Sequence, residues 1–204
     1  MNAATVKRPA QDRAHKPPAG RIGPNAIIQV GRALRDGEHA DLTETIYRRA
    51  GLFDALDNPP IDMVDEADAA RLFRALFDVL PATVAGDVCA EAGTRTADYV
   101  LAHRIPKAAQ TLLKALPSIL AEPLLLKAIR QNAWTFAGSG QVSIGHGRPA
   151  WIEIAHNPIA LPGCPWHRAV FERLFKTLVA PRVDVRHSKC RLAGSAICRF
   201  EIVR

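Results

Sequence analysis

The order of hydrophobic patterns along the chain predicts an α+β fold, with N-terminal helices packed on an antiparallel sheet made of two C-terminal β-hairpins flanking one helix. Apolar residues recur at helical spacing as far as Gln131, and short β-branched and aromatic segments with alternating pattern replace them after Asn132. One further strongly amphipathic segment, Pro165–Val179, separates two such strand pairs. At 204 residues the chain can bury a core of its own without covalent cross-links, and its composition is that of an ordinary globular protein.

Residues 1–24 are rich in Pro, Ala, Lys and Arg and almost free of large apolar side chains, which predicts a disordered basic arm ahead of one domain spanning 25–204. Order is expected to begin near Ile27. Ala40–Ala50 reads as helical with Gly51 just past its end, and Asn58-Pro59-Pro60 breaks the chain. Asp65 is placed to cap a helix whose apolar stripe is Ala69, Leu72, Phe73, Leu76, Phe77 and Leu80. Pro81 starts the next helix, which runs to about His103 with Val84, Val88, Ala92, Tyr99 and Val100 expected to face inward; Cys89, mid-helix, reads as a core residue. Lys107–Leu116 and Ser118–Gln131 follow the breaks at Pro106 and Pro117 and complete the helical part, 25–131.

The remaining part, 132–204, is the hairpin–helix–hairpin unit. Ala133–Ile144 and Arg148–His156 are expected to pair across Gly145-His146-Gly147, with Ile152, Ile154 and His156 on one face and Trp151, Glu153 and Ala155 on the other. In Pro165–Val179 the side carrying Trp166, Val170, Phe171, Leu174, Phe175 and Leu178 should face the core, opposite Arg168, Glu172, Arg173 and Lys176. In the last hairpin Val183, Val185 and His187 alternate with Arg182, Asp184 and Arg186, and Cys198, Phe200 and Ile202 share the inner face of the return strand.

The formal net charge of +7 is unevenly spread: Met1–Arg21 carries +4, Cys164–Arg204 carries +6, and the middle is at −3. A basic C-terminal lobe suits an anionic partner, or is simply a solvated charged surface. No apolar run approaches the ~20 residues of a membrane-spanning helix. No apolar stretch backs the basic N-terminus, so no secretory signal is expected and a cytoplasmic location is.

The cysteines suggest metal chemistry. Cys164 stands just before a helix that has Pro165 in its first position, where the helix dipole favours thiolate. Cys190 and Cys198 flank a turn around Gly194, which puts them across a hairpin with Cβ atoms roughly 4.5–5.5 Å apart. His187 points inward with Val183 and Val185, but three residues separate it from Cys190, so on a regular strand the two side chains would lie on opposite faces. Convergence requires a β-bulge at Ser188-Lys189. With that bulge Cys164, His187, Cys190 and Cys198 form a closed Cys₃His set of the structural zinc type. Two other arrangements stay open here: a Cys190–Cys198 disulfide, and cysteines that serve only as small core side chains.

Ala133-Trp134-Thr135-Phe136-Ala137-Gly138-Ser139-Gly140, Asn157-Pro158, Cys164-Pro165-Trp166-His167, Cys190 and Cys198 together resemble the vinyl-reductase domain family. From about Ile27 the chain is similar to its bacteriochlorophyll-biosynthesis branch in purple phototrophic bacteria, named for reduction of the 8-vinyl group of divinyl protochlorophyllide. In aromatic-compound-sensing activators that share the domain, zinc is held by a cysteine before a helix and a Glu-x-x-Cys-x₇-Cys hairpin. Cys164, Cys190 and Cys198 match, and His187 stands where that family has glutamate. The wider superfamily also resembles vesicle-tethering subunits and heme-based gas sensors, which enclose an apolar ligand between helices and sheet.

The resemblance implies a pathway more firmly than a catalyst. Gly138-Ser139-Gly140-Gln141-Val142-Ser143 lacks the third glycine and the following helix of a dinucleotide fingerprint and reads as a turn. No redox-cofactor motif is found, so whether the chain is an enzyme stays undecided. It implies a protein that binds a tetrapyrrole precursor, a magnesium porphyrin or divinyl protochlorophyllide, and assists its 8-vinyl reduction or delivers it to pathway enzymes. A reductase fed by a partner's reductant and a ligand-sensing module are the alternatives. Trp134, Phe136, Trp151 and Trp166 are candidate walls for the ligand, Arg168, Arg182 and Arg186 candidate partners for its carboxylates, and His103, His146 and His156 candidate axial ligands. Structural zinc, no nucleic acid, membrane association only through partners, and a homodimer left open complete the expectation.

Overall fold

A computed structural model describes residues 20–204. The arm as far as residue 19 lies outside the described residues. Its expected last part does not: Arg21–Ile22 form strand β1, paired antiparallel with β2 (Val64–Asp65). Ile22 is fully buried, and the Gly23 N–H donates to the Thr135 carbonyl at 2.9 Å. The arm drawn to residue 24 is therefore too long, because one buried isoleucine among polar neighbours is enough to dock this stretch.

Helix α1 (Asn25–Arg35) follows, then a 3₁₀ turn at Ala40–Leu42 leading into α2 (Thr43–Arg49), with Gly51 in the left-handed conformation just beyond. In α3 (Glu66–Val79) the Asp65 carboxylate caps the start by accepting from the Ala67 N–H at 2.8 Å, as expected. Its stripe is buried except for Phe77, which is half-buried. Helices α4 (Ala82–His103), α5 (Lys107–Ala115) and α6 (Ser118–Gln131) match their predicted spans.

The inner face of α4 differs from the expectation. Ala85, Cys89, Ala92, Gly93, Thr96, Ala97 and Leu101 are buried, whereas Val84, Val88, Tyr99 and Val100 are half-buried. The cause is the neighbour: α8 (Pro165–Leu178) runs along α4, and a Cβ at Gly93 would collide with the Trp166 carbonyl and sit 3.0 Å from the Ala169 Cβ. Small residues face the seam because the two backbones approach closely, and bulky ones flank it.

The strand expected over Ala133–Ile144 begins late. Trp134–Ala137 is a helical turn, α7, in which the Ala137 N–H donates to the Ala133 carbonyl at 2.8 Å; only Gln141–Gly145 is strand, β3. The intervening Gly138 has φ +56° and packs against Glu66, whose carboxylate accepts from the Ser139 N–H and hydroxyl at 2.6 Å each. Strands β3, β4 (Ala150–Ala155), β6 (Ile197–Val203) and β5 (Asp184–Lys189) form a fully antiparallel sheet in the spatial order β3-β4-β6-β5. The two hairpins thus join through β4 and β6, and α8 is the connection that returns the chain between them.

One face of the sheet, Ile152, Ile154, Val185, Cys198, Phe200 and Ile202, is buried. The Phe200 ring lies 5.2 Å from that of Phe171 on α8, which orders the layers as sheet, α8, α4, α1. The opposite face carries an ion-paired layer in which Arg199 meets Glu153 at 3.0 Å and stacks on Trp151 at 4.5 Å.

Candidate metal centre

Each member of the Cys₃His set is delivered by a different local device. Cys164 follows Gly163 in a turn closed by its own N–H donating to the Leu161 carbonyl at 2.9 Å. With φ +43° and ψ +51°, Cys164 sits in the left-handed region, which costs a non-glycine residue about 1 kcal/mol or more. The thiol does not cap α8. That conformation instead turns it to the sheet, where its Sγ lies 3.7 Å from the Cys198 Sγ. Cys198 comes from the inner face of β6.

His187 and Cys190 come from β5 and its end, and the register between them shifts. His187 pairs with Phe200 and Lys189 with Arg199, which leaves Ser188 as the extra residue of the expected bulge. The bulge reverses the parity of the strand, so imidazole and thiol point to the same side. The His187 ring stacks on Phe200 at 4.9 Å with 23° between planes, and its buried Nε2 has no hydrogen-bond partner. Cys190 directs its sulfur to within 3.7 Å of the Leu161 carbonyl.

The four donor atoms all lie within 4.8 Å of one another. Two thiolates on a tetrahedral zinc at ~2.3 Å each would be ~3.8 Å apart, close to the spacing of Cys164 and Cys198. The four cysteines are free, so the disulfide reading is set aside. An orphaned imidazole nitrogen, three converging sulfurs and this spacing fit a metal ion, and the cluster can hold one.

Electrostatics divide the sulfurs. The Cys198 thiol is held far below its ordinary range, first by the Cys164 S–H donating to it and further by His187, the Arg191 backbone and Asn157. Cys164 is pushed up because it is the donor of that bond and is buried. Cys198, not the helix-start cysteine, is therefore the standing thiolate, and an ion would have to displace one shared proton. Two neighbours carried no assigned role in the sequence. Asn157 is fully buried, and its carbonyl accepts from Arg191 at 3.1 Å, tying the loop to the hairpin. His167 is buried with its Nε2–H donating to the Phe136 carbonyl at 3.1 Å, and burial lowers its pKa to about 4. Both stood in the quoted motifs Asn157-Pro158 and Cys164-Pro165-Trp166-His167, and their burial was the missing signal.

The candidate ligand residues are not brought together. Trp166 is core, its ring 6.0 Å from Phe73, and Phe136 packs edge-on to Phe171 at 5.4 Å. Trp134 is half-buried in α7. Trp151 lies on the ion-paired face over Gly145. His103, His146 and His156 are all exposed; His156, at φ +53°, has left the inner face expected for it. Arg168 pairs with Glu172 at 3.6 Å, and Arg182 and Arg186 are exposed. Of these, only Arg186 lines the groove of about 510 Å³ at one end of the sheet.

Comparison with known proteins adds three findings. The 4-vinyl-reductase domain family matches residues 152–204, from mid-β4 to the last residue. The bacteriochlorophyll synthase 23 kDa chain of Cereibacter sphaeroides is 42% identical over 191 residues, covering 91% of this chain and 91% of that one. The protein of the same name from Rhodobacter capsulatus is 37% identical over 193 residues, 88% of this chain and 85% of its own. In fold, the chain is similar to the crystal structure of an H-NOX protein from S. oneidensis in the Fe(II)NO ligation state, with a TM-score of 0.51 at 9% identity, covering 89% of this chain and 98% of that one.

Proposed function

The chain belongs to the family of the bacteriochlorophyll synthase 23 kDa chain, and from that premise we propose that it binds a tetrapyrrole precursor and presents it to the enzymes of bacteriochlorophyll synthesis. The Cys₃His cluster holds a structural zinc ion in this reading. Three thiolates and an imidazole suit zinc better than harder cations, and four protein ligands leave no open position for substrate. What carries the zinc assignment is the convergence of the four donor atoms within 4.8 Å from a helix start and a bulged hairpin. When bound, the ion locks β5, β6 and the start of α8 together.

The tetrapyrrole reading rests on the relatives' name and on the groove at the sheet end. Its apolar lining, Pro149, Ala150 and Ile202, suits the flat ring, and Arg148, Arg186 and Arg204 suit its carboxylates. This replaces a pocket between α8 and the hairpins, where Trp166, Phe171 and Phe200 fill the space. The test is absorption titration of the zinc-loaded protein with a magnesium porphyrin. A shift at micromolar pigment that Arg148→Ala/Arg186→Ala weakens supports the reading, and no shift removes it. Turnover of divinyl protochlorophyllide by the purified chain with a nicotinamide donor would replace a carrier with a reductase.

A further inference from the structure

We propose that the α5–α6 helical hairpin is a membrane-docking surface that rests on an anionic lipid headgroup layer. The proposal is independent of which pigment, if any, the chain binds.

Helix α5 is built inside out. Its sole fully buried side chain is a glutamine: the Gln110 amide donates to the carbonyls of Leu101 and Ile105, at 2.5 and 2.8 Å. Leu112, one turn from the end of the same helix, is 56% exposed. Across the turn at Leu116-Pro117, Ile119 and Leu120 in the first turn of α6 are 62% and 52% exposed, and Leu124 follows one turn later at 48%. Among the described residues, four of the six large apolar side chains left in water therefore fall within Leu112–Leu124, around one helix–helix turn. An amphipathic pair that packed for solubility alone would have turned these leucines inward.

The charges around them have one sign. Arg104, Lys107, Lys114, Lys127 and Arg130 are exposed on this hairpin. Between Arg104 and Ala133 the single acidic residue is Glu122, which is buried and paired with Arg204 at 3.2 Å. On the adjoining α8, Glu172 is taken up by Arg168 and Lys176. An apolar tip with cationic flanks and no free carboxylate of its own is the pattern of an interfacial element, whose leucines enter the headgroup–acyl boundary while Lys and Arg stay with the phosphates. A second copy of the chain fits worse, because a two-fold contact would set Lys114, Lys127 and Arg130 against their own equivalents. No helix among the described residues is long and apolar enough to cross a membrane, so the contact lies on the bilayer and does not span it.

The test is flotation of the full chain with vesicles of phosphatidylcholine alone and of phosphatidylcholine with phosphatidylglycerol in equal parts. Binding should appear with the anionic vesicles, and Leu112→Ser/Leu120→Ser should weaken it by ~10-fold or more. Lys114→Glu/Lys127→Glu should weaken it too and flatten its salt dependence. All four side chains are exposed, so circular dichroism and the melting transition should be unchanged. Three results would overturn the proposal: no binding to anionic vesicles; binding that the leucine variant leaves intact, which would assign it to the basic N-terminal segment; or a solution dimer that the leucine variant dissolves.

Discussion

Helix α8 is fastened at two places by opposite means. Along its length it meets α4 through Ala85, Cys89, Ala92 and Gly93, a seam so close that Gly93 has no room for a methyl group. At its start it meets the sheet through Cys164 and the sulfur–imidazole cluster. The seam is dry and apolar, and burial there pushes the Cys89 thiol up to about 12, so that cysteine is inert filler. The start is polar and strained, with a left-handed Cys164, an orphaned His187 nitrogen and a thiolate at Cys198. Shape alone secures the first. The second needs a partner for its charges, and the same residue type, cysteine, has opposite chemistry in the two regions. His167 bridges them, one turn into α8, with its ring among Phe136, Trp166, Phe171 and Phe200.

The comparison can be broken most directly at the start. Cys198→Ser should abolish metal stoichiometry in elemental analysis and cost about 4 kcal/mol in urea denaturation. Hydrogen exchange should show the β5–β6 hairpin opening while α4 keeps its protection, and an unchanged denaturation midpoint would mean that the start of α8 needs no ion. At the seam, Gly93→Ala should cost about 3 kcal/mol through overpacking against the Trp166 carbonyl, with metal content retained. Equal loss of metal in both variants would erase the distinction between the two fastenings.

His167 sharpens the comparison through pH. Its pKa is about 4 in the folded chain against an ordinary 6.5, so between those values the unfolded state binds more protons. Its contribution to stability is full above pH 6.5 and is lost as pH falls toward 4. Roughly 2 kcal/mol should go between pH 6.5 and about pH 5. The slope difference between the native chain and His167→Phe isolates this from proton competition at the metal ligands, and identical slopes would refute it. The smallest effect belongs to His187→Glu: a carboxylate oxygen is also a zinc ligand, so metal should be retained with a stability change below about 1 kcal/mol.

Much of this was legible in the chain. The Asp65 cap, the apolar face of α8 and the return strand Cys198-Phe200-Ile202 follow from local period and end signals. So does the bulge at Ser188, because a parity mismatch between two inward side chains has one simple remedy. The inner face of α4 was misread because large apolar residues were taken to mark it. Against a helix packed this closely the small ones do, and nothing within α4 announces how near its neighbour comes. Ala133–Gly140 was read as strand from its aromatic residues, but Ala133 and Ala137 close a helical turn before the Gly138 kink.

By itself, then, the order of residues determined the element types, the donor set Cys164, His187, Cys190 and Cys198, and the change from helices to sheet. Those are decided within a few residues by periodicity, capping and turn chemistry. Only the tertiary structure decided that Cys198 keeps the negative charge, that Gly93 and not Val88 faces α8, and that Leu112 and Leu120 are left outside. Each of those depends on what a distant segment brings to the same place, and no local pattern carries that information.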